Sequence, residues 1–311
     1  MIVARLGAAG LFVLGLGLGS AVPNEPHGPM RVGDGWMIAA DFHVHAFPGD
    51  GVLAPWDLAH EASRQGLDAV AITNHNQLWA TRIAAWLPRA SGALVIPGDE
   101  VTAPRFHMTA IGIEHAIDWR LSLPAAADAV RAQGGAAILA HPAGKARAAV
   151  DRAAILALDG VEVAHPMTDL DEQDARDLVE VYAQALGDKP TIAPIGSTDF
   201  HALAPLGLCR TYVFATDVTQ AAIVDAVRSG RTVACDTRGR THGEPGLAKK
   251  AAAVCQLSVQ RRLNTSRLNQ VSLACTWLGL VGLVFFGFPT MRLTIVPTTT
   301  TTTAPITLNH R

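Results

Sequence analysis

Short runs of apolar and β-branched residues recur along the middle of this chain, and most of them end on a histidine or a carboxylate. The runs are Met37–His45, Ala69–Thr73, Leu94–Pro97, Phe106–Ile113, Ala136–Ala140, Val161–Ala164, Thr191–Ile195, Thr211–Phe214 and Thr232–Ala234. Helical patterns lie between them, near residues 55–66, 77–87, 122–133, 146–157, 170–187 and 219–228. Alternation of β and α units of this length predicts a mainly parallel sheet, open or closed into a barrel. In a parallel barrel the C-terminal strand ends open onto one mouth. Residues at those ends therefore meet, however far apart they stand in sequence.

The residues that meet are chemically of one kind. Asp41-Phe42-His43-Val44-His45 closes the first strand. His43 and His45 share a face of it, about 7 Å apart along the chain. Asp50 follows in the turn Pro48-Gly49-Asp50-Gly51. The second strand runs into Asn74-His75-Asn76 and the third into Pro97-Gly98-Asp99-Glu100. A short hairpin presents His107, the next strand ends at His141-Pro142, and a later one ends at Gly196-Ser197-Thr198-Asp199-Phe200-His201. A single HxH is weak evidence; its recurrence at successive strand ends is not. So many imidazoles and carboxylates in one mouth are too polar to bury without partners. Metal ions answer that need, since imidazole and carboxylate donors suit Zn, Mn or Fe. No cysteine stands among them, which points to an open catalytic site rather than a closed structural zinc site.

The motifs DFHVH…GDG, AITNH, PGDE, FHMTAIGI, ILAHP and GSTDFH, in that order, resemble the polymerase and histidinol phosphatase (PHP) superfamily over about 200 residues. The resemblance implies an α/β fold, a distorted (β/α)7 barrel, with two or three divalent metal ions. By matching motif, His43, His45, Glu100 and Asp199 would hold one metal. Glu100 would bridge to a second, held with His107 and His141. Asp50, His75 and His201 would hold a third. The family's usual aspartate before the second-strand histidine is Asn74 here, which puts the third site or its support in question.

The implied reaction is hydrolysis of a phosphate mono- or diester by a metal-activated water, with Glu100, Asp199 and His201 as the residues closest to the chemistry. Two alternatives stand beside it: an exported hydrolase of esters, carbamates or amides, and a non-catalytic metal-loaded binding domain on a membrane stalk. The net charge of −2 gives no basic surface for nonspecific duplex binding, leaving a small molecule or a short oligonucleotide as substrate. Arg105 and Arg210 are candidate phosphate partners, or ordinary surface arginines. Glu162 and His165 read equally as substrate contacts or as packing.

The ends of the chain differ from its middle. Residues 1–22, basic at Arg5 and then apolar up to Ser20-Ala21-Val22-Pro23, have the order of a signal peptide or anchor. Residues 23–35 read as a linker, 36–240 as the metallohydrolase domain and 241–270 as a basic linker. Residues 271–289 form an apolar run long enough for a transmembrane helix, and 290–311 a disordered tail. Together these predict a membrane-associated protein with its catalytic domain outside the cytoplasm. The four cysteines have no CxxC spacing and suggest no disulfide framework.

Overall fold

Several helices start where a side chain takes up an orphan backbone donor. Ser122, Asp151, Asp171 and Thr219 each accept a hydrogen bond from an amide two or three residues on, which fixes the entry into the helix that follows. The computed structural model describes residues 2–20, 28–84, 92–202, 205–263 and 267–287. In chain order, α1 (Ile2–Ser20) precedes β1 (Met30–Val32), β2 (Gly35–Val44), α2 (Pro55–Arg64), β3 (Ala69–Ile72), α3 (Trp79–Ala84) and β4 (Leu94–Ala103). Then come β5 (Phe106–Ile111), α4 (Leu123–Ala132), β6 (Ala136–Ala140), α5 (Arg152–Ala157), β7 (Gly160–Ala164), α6 (Glu172–Asp188) and β8 (Ala193–Gly196). The last elements are β9 (Arg210–Ala215), α7 (Gln220–Arg228), β10 (Thr232–Cys235), β11 (Thr241–Gly243), α8 (Pro245–Leu263) and α9 (Arg267–Gly287).

The sheet order is β11-β10-β9-β2-β3-β4-β5-β6-β7-β8, with β1 paired to β2. β2, β3 and β4 pair in parallel, as do β6, β7 and β8. β5 is antiparallel to both of its neighbours. The strands from β2 to β8 wrap into a nearly closed barrel. Its mouth is joined where Val44 bridges Phe200, with the His45 amide donating to the Phe200 carbonyl at 2.8 Å. Lower down, side chains do the joining. The Thr211 hydroxyl donates to the Gly196 carbonyl at 2.9 Å, and the Thr232 hydroxyl donates to that of Pro194 at 2.9 Å. Glycine is required at 196, where a Cβ would come within 2.5 Å of the Arg210 carbonyl oxygen.

The barrel interior is filled by Ile38, Ala40, Phe42, Ala71, Ile96, Ile111, Ile138 and Ile195, and α7 contributes Ile223 and Val227 to the same cluster. Each large apolar side chain so buried contributes about 1.5–3 kcal/mol. This apolar plug sits beneath the polar mouth.

Three segments differ from the sequence expectation. Within the expected linker 23–35, β1 pairs with β2 through a two-residue turn at Gly33-Asp34, where Gly33 takes a φ of 62°. Within the expected basic linker 241–270 lie β11 and α8, and α8 packs on the barrel. Ala251 and Cys255 of α8 are buried in the cluster that holds Met37 and Tyr212, while Lys249 and Lys250 face outward. Cationic residues on one face of a packed helix read in sequence as a basic linker. A Cys235–Cys255 disulfide, which the cysteine spacing did not indicate, ties α8 to β10. Closing a loop of 20 residues is worth about 3 kcal/mol. Reduction, or Cys255→Ser, is therefore expected to lower the thermal midpoint by roughly 5–10 °C. An unchanged midpoint under reductant, with free thiols counted, would show the bridge to be absent.

α1 and α9 form a separate compact unit. Ser272 donates to the Gly15 carbonyl at 2.7 Å, and a Cβ on Gly279 would meet the Phe12 amide, so the helices pack closely on their small residues. Among the described residues no helix is long and apolar enough to cross a membrane, so the transmembrane and signal-peptide expectations gain no support here. Sequence reasoning found nothing for the apolar run at 271–289 to pack on; α1 is such a partner. The expected cleavage point near Ala21 and the tail 290–311 lie outside the described residues.

Candidate metal centre

A bulge at the end of β2 sets up the site. Register with β3 shifts between Asp41 and Val44, so Phe42 joins the interior cluster and Val44 the outer one. His43 and His45 flank Val44 on the opposite face, and both rings are completely buried. Asp50 comes from the loop after β2. That loop is held by Asn74, whose amide oxygen accepts from Ala46 N at 2.9 Å and whose nitrogen donates to the carbonyls of Ala46 and Pro48 at 2.6 and 3.1 Å. A carboxylate could accept here but not donate twice. The departure from the family pattern at position 74 therefore follows from a loop clamp that needs an amide.

All nine residues expected from the sequence converge, in three groups: His43, His45, Glu100 and Asp199; Glu100, His107 and His141; and His45, Asp50, His75 and His201. Within each group the ligand atoms lie within 4.8 Å of one another. His45, expected in the first group alone, also belongs to the third. Glu100 stands at the centre. Its Oε1 is 2.7 Å from His107 Nδ1 and 3.5 Å from His141 Nε2. Its Oε2 is 3.4 and 3.3 Å from the Nε2 atoms of His43 and His45, and 2.6 Å from His75 Nδ1. Asp199 Oδ1 completes the first group at 3.2 Å from each of those Nε2 atoms.

These atoms are close without being satisfied. His43 Nε2, His45 Nε2, both oxygens of Glu100, His107 Nδ1 and Asp199 Oδ1 are buried and make no hydrogen bond of acceptable geometry. Buried polar atoms are almost always paired, and lone pairs aimed at a shared centre are what cation ligands present. The charges argue likewise. Burial works to raise the Glu100 carboxyl, but His43, His107 and His141 hold it well below the usual carboxylate range. Burial works to lower His45, yet Asp199 and Glu100 bring it up to about 9. The carboxylates demand positive charge close by; protons on imidazoles or bound cations both answer it. The donor set thus fits divalent metals of the zinc, manganese or iron class.

Beneath the nine lies a layer that sequence reasoning left undecided. Glu162, on β7, is fully buried; His43 Nδ1 lies 3.0 Å from its Oε1 and the His141 amide donates to its Oε2 at 2.7 Å. His165, also buried, accepts from the Met167 amide at Nδ1. Its proton therefore sits on Nε2, an atom without a hydrogen-bond partner that points toward Asp199 Oδ2 at 3.7 Å. Asp41 is not among the nine: it accepts from the amides of Thr198 and Gly207 and so ties the Asp199 loop to β2. Burial pushes its carboxyl up to about 6. Position at the end of one more barrel strand, Val161-Glu162-Val163-Ala164-His165, was the available signal for Glu162 and His165.

The two candidate arginines separate. Arg210 is buried and donates to the carbonyls of Gly207, Gly66 and Gln65, so it braces loops instead of facing the mouth. Arg105 is exposed in the β4–β5 turn, beside His107. Backbone geometry adds a further mark. Asn76, His141 and Asp199 adopt φ values of 52°, 28° and 51°, a left-handed region that non-glycine residues enter at a cost and that clusters at functional sites.

No family model matches the chain. Among curated proteins it is 31% identical, over 139 residues, to the uncharacterized protein MJ1587 of Methanocaldococcus jannaschii, covering 40% of this chain and 81% of the relative. Among solved structures its fold is similar to that of a two-domain protein from Bacteroides vulgatus containing a predicted PHP-like metal-dependent phosphoesterase. That match has a TM-score of 0.53 at 21% identity and covers 68% of this chain and 69% of the other. With its run of strand-end motifs closing one barrel mouth, the chain belongs with MJ1587 in one family and has the fold of the PHP-like phosphoesterase structure.

Proposed function

We propose that this chain is a metal-dependent hydrolase of phosphate mono- or diesters, acting on a small molecule or a short oligonucleotide. The observation that carries the reading is Glu100, whose two oxygens face different donor groups. Such a carboxylate suits adjacent cations, and adjacent cations suit a reaction in which attacking and leaving oxygens both gain charge. When bound, divalent metals would supply Lewis-acid stabilisation of a phosphoryl oxygen and a water of lowered pKa.

The chain's own residues do the rest. His43, His45, Glu100 and Asp199 would hold the innermost ion, with Glu100, His107 and His141 a second. Asp50, His75 and His201, with His45, would hold a third nearer the solvent. His201 directs Nδ1 at the Asp199 carbonyl, 2.9 Å away, which puts the lone pair on Nε2, 3.2 Å from Asp50 Oδ2, where the two could share a ligand role. The Nε2–H of His165, the one proton of a ring whose Nδ1 accepts from Met167, would donate a hydrogen bond to a bound oxygen and so orient it. The apolar plug below closes the barrel to water from that side.

Turnover is expected to fall at least ~100-fold on exhaustive chelation and to return with Mn²⁺ or Zn²⁺. The assay sets phosphomonoesters, phosphodiesters, short oligonucleotides and carboxyl esters side by side on the metal-loaded full chain. Undiminished turnover in protein shown to be metal-free overturns the metal dependence. Hydrolysis of carboxyl esters without any phosphate ester assigns the chain to the other branch of hydrolases.

A further inference from the structure

An open cavity of about 350 Å³ adjoins the group formed by Glu100, His107 and His141, and those two histidines line its inner wall. Its flanks are Arg105 of the β4–β5 turn with Phe106 at the start of β5 on one side, and Lys145 of the loop after β6 on the other. Both cations are exposed, and neither side chain forms an ion pair or hydrogen bond among the described residues. Their neighbours are committed elsewhere. Arg147, just beyond Lys145, pairs with Asp177 at 2.8 Å and with Glu180 at 2.6 Å. Asp174 is the one carboxylate in the cavity lining, so two cations against one anion leave the lining positive.

The position decides what such a lining does. The phosphate to be cleaved must reach the ligand groups at the mouth, and His107 and His141 separate that place from the cavity. Arg105 and Lys145 therefore face whatever the substrate carries next to its scissile phosphate. A guanidinium and an ammonium converging on one open space suit a carboxylate or phosphate, the first by bidentate hydrogen bonds and the second as a point charge. Phe106 offers an apolar wall for the stem between the two anionic groups. Resting on the phosphoesterase reading above, we infer that this cavity is a second anion subsite and that the substrate class is phosphate esters bearing a further carboxylate or phosphate.

The test separates this inference from the activity by measuring binding with phosphonates, whose C–P bond is not an ester. Benzylphosphonate and para-carboxybenzylphosphonate are titrated calorimetrically into the metal-loaded full chain. The carboxylated probe is expected to bind about tenfold more tightly, with the preference shrinking as salt rises. In the double variant Arg105→Gln, Lys145→Gln the ratio of the two affinities is expected to fall toward one. Both residues are exposed, so the substitutions leave the barrel core intact. Equal affinities in the wild-type chain, or a ratio that survives the double variant, overturn the subsite. Failure of every phosphate ester to turn over, with the binding preference present, instead overturns the activity and leaves the subsite standing.

Discussion

Glu100→Gln is expected to abolish measurable turnover and to release more than one metal ion, whereas His75→Ala retains part of both. The reason is the number of donors that face each side chain. Glu100 offers Oε1 to His107 and His141 and Oε2 to His43, His45 and His75, so its charge serves all the inner positions together. An amide keeps the shape, but one of its ends becomes a donor aimed at a cation. Like charges held close repel strongly unless an anion stands between them. Residues that only support a ligand cost roughly 10–100-fold when lost, so a shared ligand should exceed ~100-fold in kcat/KM. His75 is partly exposed and meets Asp50 at 3.1 Å through Nε2, at the outer group. Metal content and initial rates of both purified variants, with circular dichroism to establish folding, check the ranking. Retention of all metals and most of the rate in Glu100→Gln, with His75→Ala dead, would reverse the assignment of the groups.

Glu162→Gln is expected to weaken metal binding by roughly 10–100-fold although residue 162 is not itself in a ligand group. Oε1 faces His43 Nδ1 and Oε2 accepts from the His141 amide, so both oxygens are acceptors at once. Glutamine can serve one of these and must turn its NH₂ toward the other. Either His43 loses the acceptor that holds its Nε2 toward Glu100 and Asp199, or the His141 turn loses its anchor. Competition against a chelating dye reads the affinity directly and does not depend on turnover. Wild-type affinity in a folded Glu162→Gln would show that Glu162 is packing and no more.

The strands and most helices were legible because period and punctuation agree along the barrel. Ala136–Ala140 is bounded as expected, and the Thr219 cap starts α7 next to the expected residue. The nine mouth residues were legible because strand ends of a parallel barrel share one side, whatever the loops do. What escaped depends on partners distant in sequence. Nothing near Cys255 announces Cys235, since only the return of α8 brings them together. Glu162 carries the same alternation as any half-buried strand residue, and its role appears only when His43 and His141 are seen around it. Arg210 and Arg105 look alike in sequence and differ entirely in burial. The exchange at Asn74 reads as a loss until the carbonyls of Ala46 and Pro48 supply the need for a donor.

The left-handed backbone at Asn76, His141 and Asp199 sets fold stability and chemistry against each other. Each such residue costs on the order of 1–3 kcal/mol that glycine would avoid. Selection for thermal robustness alone would therefore move these positions toward glycine. At Asn76 that exchange would lose the amide pairing with Thr102. At His141 and Asp199 it would remove mouth residues outright. A descendant of this chain that kept the barrel and gave up its reaction should betray itself there first, with glycine at 141 and 199 while the apolar plug stays unchanged. The three torsions thus act as a record of use, retained only while lineages still draw on the chemistry they permit.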